Sequence, residues 1–151
     1  MLMDKNSTLI ALHESRDSAF GKLPYPELSP EERVFLHVWE LEAEVNNGGF
    51  DQYFINSSGD HASEVVESLE AIGAVQAAAI AQKAISIAFG NSLPQEDESA
   101  RNSVMRALPE EKLEELSGCD SEFYLYPDNL TELLFSFVVA NKGAIRGAQH
   151  I

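Results

Sequence analysis

Apolar residues recur along this chain at helical, not strand, spacing. Val34, Val38, Leu41 and Val45 fall at i, i+4, i+7 and i+11, which is one face of a helix. The start of that helix is written in Ser29-Pro30-Glu31-Glu32. Ser can accept a free N–H, Pro loses nothing at the first helical position, and a Glu three residues after the Ser can close a capping box. The pattern predicts a helix over 30–46. Val65, Val66, Leu69 and Ile72 predict another over 61–72, ended by Gly73. Residues 74–89, bounded by Gly73 and Gly90, are Ala-rich with Ile80, Ile87 and Phe89. Small side chains let a neighbouring helix come close, which places this segment at the centre. Further helices are predicted over 97–107, over 110–117 behind Pro109, and over 129–142. The last has Leu130, Leu133, Leu134, Phe137 and Val138 on its apolar side. A weaker amphipathic helix is expected over 7–19, and only Phe123–Tyr126 looks like a strand. The expected fold is all-α: residues 1–151 form a single compact domain of about seven or eight short helices.

Helical signals pause at the stretch EVNNGGFDQYFINSSGD, residues 44–60. Asn and Gly tolerate positive φ, so Asn46-Asn47-Gly48-Gly49 is expected to be a joint. Phe50, Tyr53 and Phe54 at i, i+3 and i+4 then form the aromatic face of a short helix that Ser57, Ser58 and Gly59 terminate. Asp60 suits the N-cap of the next helix. Read this way, Asn46, Asn47, Gly48, Gly49, Phe50, Gln52, Tyr53, Asn56 and Gly59 are a structural signature rather than a reactive loop.

Charge changes the picture more than composition does. The chain carries 25 acids against 10 bases, a net charge of -15, with a mean hydropathy of -0.16. Residues 31–70 hold ten acids and one base, Arg33, and residues 96–132 hold eleven acids and three bases. A surface this acidic repels nucleic acid and anionic lipid and attracts basic partners. The N-terminus lacks the basic flank and apolar core of a signal peptide. The densest apolar run, LLFSFVV at 133–139, falls well short of the roughly 20 residues that span a bilayer. Cys119 is the only cysteine. A cytoplasmic protein that binds neither membrane nor nucleic acid is expected.

Catalytic motifs are missing. The chain holds no G-x-S-x-G, P-loop or G-x-G-x-x-G, and the acidic setting of Cys119 would raise a thiol pKa. The best chemical candidate is a metal site from His37, Glu40 and Glu44 at i, i+3 and i+7, with His61 as the nearby supplement. Arg33 shares that face and the ligand set is incomplete, so a solvated polar face is the simpler reading. No metal, no cofactor and no enzymatic activity are expected. Glu42 falls inside the apolar arc between Val38/Val45 and Phe35/Trp39. It is a general acid or base, or an acceptor for backbone N–H groups or the Tyr53 hydroxyl; no nucleophile accompanies it, which favours the acceptor.

The run Glu44–Asp60, followed by SLEAIGA at 68–74, resembles the signature of a bacterial family of DNA-mimic proteins. The similarity covers roughly residues 30–140. It implies an acidic, all-helical homodimer that occupies the DNA-binding surface of a helix-turn-helix transcription factor. The signature lies at a helix joint, so it carries no binding residue over. The binding face is instead expected from the outward acids Asp60, Glu64, Glu67 and Glu70, extended by Glu40 and Glu44. Apolar residues near the C-terminus and the Ala-rich helix are the expected dimer contacts. Two other classes stay open: an immunity or antitoxin-like protein that neutralises a basic toxin, and a small metal-dependent enzyme around His37.

Overall fold

A computed structural model describes residues 4–151. Among them are seven α-helices, three short 3₁₀ turns and no strand. The helices are α1 (Lys5–Glu14), α2 (Pro30–Ile55), α3 (Ala62–Ala71), α4 (Val75–Phe89), α5 (Glu98–Arg106), α6 (Glu110–Tyr124) and α7 (Leu130–Ala140). α2 is the spine against which α3, α5, α6 and α7 pack, α4 lies against α3 and α6, and α1 against α7. Among the described residues no helix is long and apolar enough to cross a membrane.

The expected helix starts are built from the expected parts. Ser29 Oγ accepts from the Glu32 N–H at 3.0 Å while Glu32 Oε1 accepts from the Ser29 N–H at 2.9 Å, which is the complete capping box. Glu32 also reaches beyond the cap. It is fully buried and accepts from the Arg146 backbone N–H, Nε and guanidinium nitrogen, tying the C-terminal segment to the start of α2. Burial alone would raise this carboxyl, but the Arg146 and Ser29 hydrogen bonds win and hold it down at about 2.

α4 is central, as its composition suggests: Ala77, Ala78, Ala81, Ala84 and Ala88 are all buried. It therefore turns most of its small residues inward and leaves Ala79 exposed. The C-terminal helix is likewise committed mainly to the core, with Val139 exposed. Leu130, Leu134 and Val138 belong to the core, with Leu133, Phe135 and Phe137 packed on it. Two boundaries also move. α1 stops at Glu14, where Ser15 turns extended, and Asp4 caps its start. α6 runs on past 117 to Tyr124 because Leu116, Cys119 and Phe123 continue its buried face, while Gly118 stands in open space. The strand-like Phe123–Tyr126 piece is thus the last turn of a helix and its exit. Asp128 lies just beyond, and its Oδ2 accepts from the N–H groups of Gln76 and Ala77 at 2.8 Å, capping α4 from a distant part of the chain.

Candidate functional site: the joint, the buried cluster and the acidic face

The expected joint is a kink at Gly49 between two helical stretches of α2. Gly49 adopts φ 83 and ψ 179, which only glycine takes readily, and helical geometry resumes at once. This turns the Phe50 N–H off the helix axis, and Asp120 Oδ1 on α6 accepts it at 2.8 Å. One turn away the Tyr124 hydroxyl donates to the Val45 carbonyl at 2.8 Å. A Cβ on Gly49 would strike the Asp120 carboxylate, and one on Gly48 the Gln52 side chain. Glu44 Oε2 accepts from Gln52 Nε2 at 3.1 Å and from Asn56 Nδ2 at 2.9 Å, bridging the kink. Asn46 Nδ2 donates to the Tyr126 hydroxyl, which itself donates to Glu42 Oε2 at 2.7 Å. Glu42 is thus an acceptor, with Tyr126 rather than Tyr53 as its partner. Phe50 and Tyr53 are core residues, while Asn47 is exposed.

Arg101 closes the far end of the same stretch, and the sequence reading missed it. It is fully buried on α5, and its Nε donates to the Phe54 carbonyl at 2.9 Å. Its terminal nitrogens donate to the carbonyls of Gln95, Glu96 and Asn56 and to Asp60 Oδ1 at 2.7 Å. Every N–H of the guanidinium is used. Gly59 has to lack a side chain because a Cβ would meet the Tyr53 carbonyl at 2.5 Å and Arg101 Nε at 3.0 Å. Asp60 is therefore not the N-cap of α3. His61 holds that position without a side-chain cap, and the Asp60 carboxylate serves Arg101.

The acids on the expected binding face sort into three kinds. Glu67 and Glu70 are exposed on α3. Glu64 is exposed too, but its Oε2 accepts from the Tyr25 hydroxyl at 2.7 Å. Asp60 and Glu44 are engaged internally, as described. Glu40 is largely buried and its Oε2 has no partner. Burial first, then the neighbouring charges of Asp60 and Glu44, push its carboxyl up to about 7.

His37 does not share a solvated face with Glu40 and Glu44. It is buried, with Nδ1 2.7 Å from Ser68 Oγ and Nε2 2.8 Å from the Tyr25 hydroxyl. Its ring lies 5.4 Å from that of His61, and Tyr25 stacks on His61 with ring centroids 3.8 Å apart. Arg33 lines the same cleft as His37, as expected, with its guanidinium 4.7 Å from the centre of the Tyr25 ring. Burial lowers His37 to about 4, and burial lowers His61 as well. Burial raises the Cys119 thiol, as its setting suggested, and the residue is fully enclosed.

Residues 26–141 match the family model described as DMP19-like protein. The chain belongs to the DMP19-like protein family. The match covers the kink, the Arg101 clamp and the whole of α3. Searches of curated proteins and of solved structures gave no match. Membership supports a DNA-mimic role and hence a DNA-binding protein as the partner class.

Proposed function

We propose that this DMP19-like protein binds the DNA-binding surface of a basic, helix-turn-helix type protein and blocks its access to DNA, acting by occupation and without catalysis. The observation that carries the reading is the outer face of α3. There Glu64, Glu67 and Glu70 stand exposed at i, i+3 and i+6 within the most acidic part of the chain. Successive members rise about 4.5 Å along the axis, comparable with the roughly 3.4 Å spacing of phosphates along a DNA strand. Asp60, Glu44 and Glu40 support this face from behind, since their carboxylates serve Arg101, serve Gln52 and Asn56, or lie buried. A basic groove-reading helix would meet the α3 acids first.

The functional unit in this reading is a homodimer. Its contact has to be apolar at the centre, because two chains at -15 repel. With most alanines of α4 turned inward, Leu125 at 81% exposure, Leu93 at 71% and Val75 at 63% are the most exposed apolar side chains available for it. Light scattering at physiological salt should give twice the 16.6 kDa chain mass, and a particle of chain mass would reject the dimer.

Charge reversal tests the surface. The pair Glu67→Lys and Glu70→Lys removes exposed acids that hold no segment of the fold together among the described residues, while Glu110→Lys and Glu111→Lys makes the same change of net charge at the start of α6. The α3 pair should weaken the complex at least tenfold more than the α6 pair. Equal weakening would show that general charge, not this face, does the binding.

A further inference from the structure

We propose that His37, His61 and Glu64 form a binding site for a zinc-class divalent transition-metal ion, assembled between the first half of α2 and the start of α3. One ligand atom from each of the three lies within 4.8 Å of the other two. The His37 Nε2 to Glu64 Oε2 separation is 3.4 Å. Tetrahedral zinc with bonds of about 2.05 Å requires ligand atoms roughly 3.3 Å apart. One edge of the coordination polyhedron is therefore formed already. The rest closes when the half-buried His61, whose ring stacks on Tyr25, turns a nitrogen toward that edge.

The surroundings match a ligand set more closely than a packed core. Ser68 Oγ holds His37 Nδ1, fixing the ring with Nε2 directed at the other two groups, as the outer partners of metal-binding histidines do. The Tyr25 hydroxyl sits where the ligands converge, 2.8 Å from His37 Nε2 and 2.7 Å from Glu64 Oε2. An ion entering there takes the place of that hydroxyl between the two groups. His37, Glu64 and Ser68, together with Arg33, line an open cleft of about 250 Å³ through which an ion reaches the first two of these groups. Two nitrogens and one carboxylate oxygen favour zinc, copper or nickel over magnesium or calcium. That preference separates this site from the diffuse attraction of hard cations to an acidic chain. Neither Glu40 nor Glu44, the partners suggested by helical spacing, takes part. The site shares Glu64 with the proposed partner face, but zinc titration of the chain alone involves neither partner nor DNA, so either reading can fail alone.

The test uses the untagged full-length chain, stripped with a chelator and titrated calorimetrically with zinc chloride in excess magnesium near neutral pH. One zinc per chain should bind with micromolar or tighter affinity. His61→Ala and Glu64→Gln should each weaken it at least tenfold, with circular dichroism confirming that both variants are folded. His150→Ala, at a histidine outside the cluster, should bind as the parent does. Absence of saturable one-to-one binding, or binding unchanged in either cluster variant, overturns the site.

Discussion

Asp120 and Glu67 carry the same charge on helices of one acidic chain, but their surroundings are opposite. Asp120 faces the α2 kink and accepts the Phe50 N–H, where a Cβ on Gly49 would collide with it. Glu67 stands exposed on α3. The same division runs through the molecule. Glu32, Glu44, Asp60 and Asp120 hold segments together around α2, whereas Glu67 and Glu70 face solvent. Net charge counts both kinds equally, but only the second kind is free to meet a partner. An acidic composition therefore becomes a functional argument only after the carboxylates spent on internal hydrogen bonds have been set aside.

The division can be broken from its internal side, where the largest effects should appear. Arg101→Met removes the guanidinium from Asp60 and from the carbonyls of Phe54, Gln95 and Glu96, and should cost about 3–5 kcal/mol by chemical denaturation. Gly49→Val combines a backbone conformation that L-residues rarely adopt with a clash against Asp120. It should cost at least ~1–3 kcal/mol, and a variant melting within a degree or two of the parent would refute the account of the kink.

Glu40 lies between the two classes, and pH should expose it. Its folded-state carboxyl is raised from 4.5 to about 7, so the folded chain holds that proton more tightly than the unfolded one. Its contribution to stability is present in full below about pH 4.5 and is lost as pH rises through about 7. Glu40→Gln should flatten stability over that window and stabilise the protein above it by about 1–3 kcal/mol. An unchanged pH profile would show that Glu40 is better solvated than its surroundings indicate. The smallest structural effect is expected on the free side. Reversal of Glu67 and Glu70 should leave the melting temperature nearly unchanged while it weakens partner binding.

Local signals were legible in the sequence to the extent that their causes are local. The capping box at Ser29 and Glu32, the helical periods and the glycine joint depend on residues a few positions apart, and each appears in the structure. α6 was read seven residues short because Gly118 and the polar residues around it resemble a stop. The continuing register of Leu116, Cys119 and Phe123 was the signal that could have corrected it. Arg101 reads as a solvated charge on a short polar helix, since its acceptors come from residues 54–60 and 95–96, which only the tertiary fold gathers. His37 was grouped with Glu40 and Glu44 by helical spacing. Its position between Val34 and Leu41 on the apolar side was the available hint, but nothing in the sequence brings Tyr25, His61 and Ser68 to it.

The central claim, that α3 presents an imitation of DNA, is tested most directly by competition. The parent chain is used to capture its partner from the native cell, and duplex DNA is titrated against the complex at stepped salt. The account predicts that duplex DNA displaces the chain. It also predicts that affinity falls with salt along a slope shallower than that of the partner's own DNA complex, because a protein surface lacks the condensed counterions of a duplex. A partner that duplex DNA fails to displace at any concentration would contradict the claim and leave the acidic face of α3 to the neutralisation of some other basic protein.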